Sequence, residues 1–132
     1  RAGVIFEDYG KNVSKNDLLN GLKDVNDALT IYSDLKQVKS ENYSNCMLLK
    51  GVALSFIFFK DKSQIEISNE ALNCFNEANN YFKNRNGQLL FQRAILLLHL
   101  GKNNSGCENL KMAVKLNYIS EDILDNPKFP CR

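Results

Sequence analysis

The sequence predicts an all-α protein that folds as one domain. Apolar side chains recur at three- and four-residue steps through most of the 132 residues. No stretch of useful length alternates apolar and polar residues as a strand would, and the two prolines both lie in the last six residues. Hydrophobic residues make up 44% and charged residues 24%, the balance of an ordinary globular domain. Long helices joined by short polar turns follow from these observations.

The first predicted helix covers residues 17–39, after an arm at 1–13 that shows no helical period. Ser14 is a plausible N-cap, and Asp17 places a carboxylate near the positive end of the helix dipole. The apolar stripe that predicts this helix consists of Leu18, Leu22, Val25, Leu29, Tyr32 and Leu35.

The second predicted helix runs from about Ser44 to Lys60, after a polar connection at 40–43. Its side chains are apolar nearly all round, so we expect it to be the most buried helix. Asp61 and Lys62 form a turn. Ser63 and Glu66 then fit a capping box that opens a third helix from Gln64 to Phe82. The stripe of the third helix is Ile67, Ala71, Cys74, Phe75, Ala78 and Phe82.

Two further helices and a short turn complete the chain. A fourth helix is predicted from Gln88 to Leu100, with Gly101 as its C-cap glycine. Ser105 is predicted to cap a fifth helix at 106–116. Ser120 is predicted to cap a short turn at 121–125, which Pro127 and Pro130 would stop.

The four cysteines leave two interpretations open. They contain no C-x-x-C pair, and the single histidine, His99, is not near a cysteine cluster, so we expect neither a metal site nor a cofactor. Cys74 and Cys107 lie in helical patterns, where free buried thiols are common. Alternatively, a disulfide between Cys107 and Cys131 clamps the tail, which requires an oxidising compartment.

Charge and motifs argue against several functional classes. The net charge is +2, and the lysines of the first helix alternate with acids, so nucleic acid is not an expected partner. The longest apolar run, Val52–Phe59, is too short to span a bilayer, which excludes membrane insertion through it. No phosphate-binding loop, nucleophile elbow or zinc-protease motif occurs, and His99 has no carboxylate nearby in sequence. We therefore expect no catalytic residues and no enzyme activity.

An internal repeat is visible in the spacing of small and large residues. A small residue, a large residue four positions on and a small residue three further on occur three times: Gly21-Val25-Ala28, Ala71-Phe75-Ala78 and Gly106-Leu110-Ala113. Between them, Met47-Gly51-Leu54 matches Leu90-Ala94-Leu97 in spacing. Small residues let helix backbones approach closely, so the pattern favours stacked antiparallel helix pairs.

On these residues the sequence resembles the tetratricopeptide repeat (TPR) family, with a bacterial character in 106–111 similar to repeat proteins of the Bacteroidetes. The best-matching repeat is 87–118. Residues 44–82 resemble a repeat with lengthened helices, since Gly51 and Ala71 are eight residues further apart than Ala94 and Gly106. Residues 17–39 resemble a degenerate repeat helix, and 119–132 a capping tail. The resemblance implies a short α-solenoid of about 2.5 repeats plus a C-terminal cap.

The resemblance also implies a function. In this family the first helix of each pair lines a concave face that holds a peptide or helix of a partner protein. The expected contact residues are Asn45, Leu49, Val52, Phe56, Gln88, Phe91, Gln92, Ile95 and His99, with Leu48, Ser55 and Leu98 along the same helices. Of these, Asn45, Gln88 and Gln92 are expected to be exposed. The first helix filling that groove is an alternative arrangement.

The alternative function is a small helical structural, assembly or immunity-type inhibitory protein that acts through its convex or edge surface. The expected partner in either case is an unidentified protein or peptide, with self-association as a further interpretation. An even number of cysteines and a first residue other than methionine lean slightly toward an exported, periplasmic chain whose signal has been removed; the alternative is a trimmed cytoplasmic chain.

Overall fold

The protein is all-helical in the part of the chain that the computed structural model describes, residues 14–36 and 39–131. The predicted arm at 1–13 lies outside these residues. The described residues form five α-helices and one 3₁₀ helix, and none of them lies in a strand. The helices are α1 (Lys15–Asp34), α2 (Glu41–Lys60), α3 (Ile65–Phe82), α4 (Gly87–His99) and α5 (Asn103–Lys115), followed by the 3₁₀ helix Glu121–Asp125.

These elements belong to two compact units, one within residues 10–82 and one that contains residues 83–132. In the first unit α2 packs against both α1 and α3. In the second, α4 packs against α5, and the 3₁₀ helix packs against α5. The turns between α2 and α3 and between α4 and α5 are three or four residues long, so each of these two pairs is an antiparallel hairpin. They are called hairpin A (α2–α3) and hairpin B (α4–α5) below.

The start of α1 agrees with the sequence, and its end does not. The Ser14 hydroxyl accepts a hydrogen bond of 3.0 Å from the Asp17 amide, which is the predicted cap. The helix ends at Asp34 instead of near Lys39 because Lys36 adopts the left-handed conformation, with φ of 59°. The predicted stripe is correspondingly uneven. Leu18 and Leu29 are buried, whereas Leu35, beyond the helix, is 60% exposed.

Three further predictions about helix starts are wrong. Residues 41–43 are the first turn of α2, because the hydroxyl of Ser40 accepts from the Tyr43 amide and caps the helix. The Ser63 hydroxyl donates to the Asp61 carboxylate 2.6 Å away, so Ser63 belongs to an Asp61-centred turn before α3. Ser105 lies inside α5, which begins at Asn103 after a Lys102 that provides no side-chain cap.

The remaining predicted boundaries agree closely with the structure. The Asn86 side chain caps α4 by accepting from the Leu89 amide at 3.0 Å. Gly101 follows that helix with a φ of 75°, the left-handed conformation in which glycine avoids the steric penalty of a Cβ. Ser120 caps the 3₁₀ helix through the Asp122 amide.

The core of each hairpin is built around a glycine. A Cβ on Gly51 of α2 would lie 2.7 Å from the Phe75 ring of α3, and a Cβ on Gly106 of α5 would lie 2.7 Å from Cγ of Leu98 in α4. Gly21 in α1 is exposed, and a Cβ there would meet no described atom within 4 Å. The third occurrence of the small–large–small spacing is therefore not a close helix contact.

Burial is greatest in α4, which corrects the prediction that α2 is the most buried helix. Eight of the 13 residues of α4 are buried, against seven of the 20 in α2. The apolar side chains of α2 surround the helix, but those on one side remain accessible to solvent.

Candidate functional site

The accessible side of α2 carries the first half of the predicted contact residues. Asn45, Leu49, Val52 and Phe56 follow one another at steps of four, three and four residues, so they form one line along the helix. We call this line the α2 stripe. Asn45 is exposed, Leu49 is 49% exposed, and Val52 and Phe56 are half-buried.

The side of α2 next to the stripe, about 100° around the helix, packs into the core. Ser44, Leu48, Gly51 and Ser55 each lie one position before a stripe residue, Phe58 continues their line three residues on, and all five are buried. The glycine allows Phe75 to approach closely, and the Ser55 hydroxyl donates 2.8 Å to the Gly51 carbonyl, which satisfies it inside the core. Leu48 and Ser55, expected on the contact face, are therefore core residues.

The second half of the predicted contact residues lies on α4 and is mostly buried. Phe91, Gln92 and Ile95 are 3%, 4% and 0% exposed, so the expectation that the Gln92 amide is exposed is wrong. Phe91 packs against the Tyr118 ring, with centroids 5.8 Å apart. Gln88 is exposed, and His99, the last residue of α4, is half-buried. Burial thus leaves Gln88 as the freely accessible member of this set.

Aromatic rings lie at the C-terminal end of the α2 stripe. The rings of Phe56 and Phe59 lie 6.3 Å apart, and those of Phe58 and Phe59 lie 6.1 Å apart, both in tilted arrangements. Tilted aromatic pairs at these separations are favourable beyond the area that they bury. Phe58 is 2% exposed and Phe56 and Phe59 are half-buried, so these rings connect the end of the stripe to the core of hairpin A.

The polar groups at the α2–α3 contact are held by packing and charge. Lys50 of α2 pairs with Glu70 of α3 at 3.4 Å. Burial raises the pKa of the Cys74 thiol to about 11, with smaller contributions from Lys50, which lowers it, and from Glu70 and Glu77, which raise it. Burial also raises the pKa of Tyr43, and the nearby charges of Glu77 and Cys74 raise it further by smaller amounts. Both groups therefore stay protonated near neutral pH.

Two features of the structure were not predicted from the sequence: a polar link between α4 and α5, and an exposed apolar pair at the end of α1. The Arg93 Nε donates 2.8 Å to the Asn109 side chain, which links α4 to α5, and burial lowers the pKa of the arginine. Asn109 in turn donates to the Ser105 carbonyl.

Ile31 and Leu35 form an exposed apolar pair at 57% and 60% exposure. Leu35 was predicted as part of the apolar stripe but follows the end of α1, whereas Ile31, four residues earlier, lies outside that stripe.

The structure contains a disulfide between Cys107 of α5 and Cys131 of the tail, with Cα atoms 5.1 Å apart. Cys46 and Cys74 are free thiols. Within the described residues no cluster of three histidine, cysteine or acidic side chains is arranged to hold a metal ion. None of the described helices has the length and apolar character needed to cross a membrane.

The chain matches no protein-family model, no curated protein and no solved structure.

Proposed function

We propose that this chain is a non-enzymatic protein-interaction module that binds a peptide or a helix of a partner protein through a concave helical face. The proposal includes a TPR-like stacking of helix pairs into a short α-solenoid of about 2.5 repeats with a C-terminal cap. Its support is the pair of antiparallel hairpins, each with buried small and large residues at the repeated positions. Ala71, Phe75 and Ala78 are 0% exposed in hairpin A, as are Leu110 and Ala113 in hairpin B.

The single observation that carries the proposal is the accessible α2 stripe. On a helix that packs against both α1 and α3, Leu49 remains 49% exposed, and Val52 and Phe56 in the same line are half-buried. Exposed apolar residues in a line, bordered by polar groups, are typical of surfaces that bind another chain. We infer that the α2 stripe contributes the apolar contacts and Asn45 a hydrogen-bonding amide.

The chemistry of this stripe favours an apolar segment as ligand. Leu49, Val52 and Phe56 offer branched and aromatic surface without a formal charge. An amphipathic helix with apolar residues at i, i+3 and i+4 would match a line of this spacing, and so would an extended peptide with alternating apolar residues. Gln88 of α4 lies in the other compact unit and is an exposed amide there, whereas the buried Phe91, Gln92 and Ile95 are assigned to the core of hairpin B.

A second candidate function has its own support in α1. Ile31 and Leu35 are more exposed than Leu49, and they lie outside the α2 stripe. A structural, assembly or inhibitory protein that acts through an edge surface would use such a pair. The two candidates therefore predict different residues as the centre of binding.

The experiment selects ligands from a random peptide library on the wild-type chain and measures the affinity of the best peptide for single variants. Leu49→Asp places a charge in the middle of the α2 stripe, and we expect it to weaken binding at least tenfold, about 1.4 kcal/mol. Ile31→Asp is the matched control, because it places the same charge on another exposed apolar residue. The proposal expects it to change affinity less than about twofold, well under 1 kcal/mol.

The opposite pattern, with Ile31→Asp disruptive and Leu49→Asp neutral, would favour the edge-surface function. Equal affinity for all three chains would contradict both candidates. Circular dichroism of each variant verifies that the helices are intact, which is expected because both positions are exposed.

A further inference from the structure

The α2 stripe lies between two opposite charges. Glu41, in the first turn of α2, is four residues before Asn45. Lys60, in the last turn, is four residues after Phe56. Four residues are about one helical turn, so both charges continue the line of the stripe. Glu41 and Lys60 are exposed, and neither forms an ion pair with another residue in the described part of the chain.

The helix dipole explains one aspect of these two charges. A carboxylate in the first turn of a helix and an ammonium group in the last turn are each favourable. Glu66 at the start of α3 and Lys115 at the end of α5 are placed in the same way. The dipole favours an end of the helix and not a side of it, so it leaves the alignment of both charges with Leu49 unexplained.

The order of side chains along this line is complementary to itself when it is reversed. Glu41 is eight residues before Leu49, and Lys60 is eight residues after Val52. In a second copy of α2 that runs in the opposite direction, Leu49 therefore lies opposite Val52. The same register places each Glu41 opposite a Lys60, so the apolar middle is covered and both ends gain an ion pair.

A parallel arrangement of two copies lacks this complementarity. It would place Glu41 against Glu41 and Lys60 against Lys60, and like charges in contact oppose association. The antiparallel arrangement has a two-fold axis, the commonest symmetry of protein dimers, in which both chains use the same surface. The net charge of +2 per chain is too small for overall repulsion to prevent such a contact.

We propose that the occupant of the α2 stripe is a second copy of this chain, bound antiparallel about a two-fold axis between Leu49 and Val52. The inference rests on the proposed function, in which the stripe binds a helix of a partner, and it names that partner. Stable interfaces bury about 1,200–2,000 Å² in total, and one line of side chains on each copy covers less. The dimer is therefore weak, with an expected dissociation constant above about 1 μM.

The experiment measures self-association of the full chain by sedimentation equilibrium over a concentration series. The ionic strength is kept low because salt screens exposed charges. Glu41→Lys and Lys60→Glu each turn both ion pairs of the dimer into like-charge contacts, so each should raise the dissociation constant about tenfold. The variant that carries both substitutions restores the pairs with exchanged signs and should return to within about twofold of the wild type.

A mixture of the two single variants provides the sharpest comparison. In a heterodimer of Glu41→Lys with Lys60→Glu, both ends again join opposite charges. The equimolar mixture should therefore associate at least about tenfold more tightly than either variant alone. Leu49→Asp places two like charges at the centre of the contact and should leave the chain monomeric.

Glu66→Lys and Lys115→Glu are the matched controls, because they make the same charge changes at a helix start and a helix end outside the stripe. Both should stay within about twofold of the wild type. A wild-type chain that is monomeric at every concentration, a dimer insensitive to the reversals at Glu41 and Lys60, or a mixture no tighter than its components would each overturn the inference. The proposed function survives these outcomes, since the effect of Leu49→Asp on a library-selected peptide tests it separately.

Discussion

Hairpin A and hairpin B use the same close-packing device with the two partners exchanged. In hairpin A the glycine lies on the first helix, and Phe75 of the second helix covers it. In hairpin B the glycine lies on the second helix, and Leu98 of the first helix covers it. The comparison shows that close approach of two helices requires one small residue at the contact and does not require it on a particular helix.

The two hairpins differ in which surface they leave accessible. Hairpin A has the longer helices, 20 and 18 residues against 13 and 13, and its first helix leaves Leu49 exposed and Val52 and Phe56 half-buried. The equivalent first helix of hairpin B buries Phe91, Gln92 and Ile95. Hairpin B is in turn the one whose second helix is covalently joined to the tail. We infer that recognition belongs to hairpin A and covalent stabilisation to hairpin B.

The largest effect that tests this comparison is expected from Phe75, which fills the contact over Gly51. Phe75→Ala should lower the free energy of unfolding of hairpin A by about 4 kcal/mol, because it empties a fully buried aromatic site. Leu110→Ala should cost hairpin B about 3 kcal/mol, since a smaller side chain is removed. Denaturant-dependent hydrogen exchange, followed separately in each hairpin, measures both values.

Phe82→Ala is the matched control for hairpin A. Phe82 ends the same helix, is only half-buried and packs edge-on against Tyr81. Its removal should cost less than half as much as the removal of Phe75. Equal losses for the two phenylalanines would show that the Gly51 contact is not the centre of the hairpin A core.

A second prediction separates the two glycine contacts. Gly51→Ala and Gly106→Ala should each destabilise the protein by about 1–2 kcal/mol, because the overpacking cost exceeds the gain in helix propensity. Shortening Phe75 to leucine should relieve most of the Gly51→Ala cost, since the near atoms belong to the ring. Shortening Leu98 to alanine should relieve less of the Gly106→Ala cost, because the Leu98 backbone nitrogen would still lie 3.2 Å from the new Cβ.

Double-mutant cycles on the two pairs provide the measurement. Coupling of more than about 1 kcal/mol for Gly51 with Phe75, and less for Gly106 with Leu98, agrees with the structure. The reverse order would mean that the leucine side chain, and not the backbone, limits approach in hairpin B.

The helix caps give a third and smaller prediction. Ser40→Ala should destabilise α2 by about 1 kcal/mol, because the Tyr43 amide loses its acceptor. Ser105→Ala should change the stability of α5 by less than about 0.5 kcal/mol, since Ser105 lies inside the helix and its side chain is exposed. Thermal unfolding of the two variants measures both changes in stability. Similar destabilisation by the two substitutions would indicate that Ser105 does cap α5.

These caps show what the sequence can and cannot reveal. The sequence was sufficient to predict five helices, the end of α4 at Gly101 and the N-caps Ser14 and Ser120. These features depend on the periodic spacing of apolar residues and on capping hydrogen bonds, which both act over a few residues. Ser105 and Ser63 misled the prediction, since a serine before an apolar run fits several local roles. Which of these roles is realised depends on neighbours such as Asp61.

The candidate site was less predictable than the fold. The α2 stripe and the α4 residues look alike in sequence, because each combines apolar side chains with an amide. Burial separates them, and burial depends on tertiary packing that spacing alone does not reveal. Gln92 illustrates this point, since an amide expected at the surface is 4% exposed.

The smallest expected effect concerns the dependence of hairpin A on alkaline pH. Burial holds the pKa of Cys74 near 11, above the value of 9.0 for an unperturbed thiol. Since the folded-state pKa is the higher one, the stabilisation is complete below about pH 9 and is lost as the pH rises toward 11. Hairpin A should therefore weaken over this window, and Cys74→Ala should reduce the pH dependence.

The raised pKa of Tyr43 contributes in the same direction at the upper end of the window, so Tyr43→Phe serves as the control. Denaturant unfolding at a series of pH values provides the curves. A Cys74→Ala curve parallel to that of the wild type would mean that the thiol is not responsible for the slope.

The most direct test of the account is the location of a bound ligand on α2. The measurement is chemical-shift mapping by nuclear magnetic resonance, with the best library-selected peptide titrated into the isotope-labelled chain. We expect the largest shifts at the Asn45 amide and the Leu49 and Val52 methyl groups, with small changes at Ile31 and Leu35. Shifts centred on Ile31 and Leu35, with an undisturbed α2 stripe, would contradict the assignment of recognition to hairpin A.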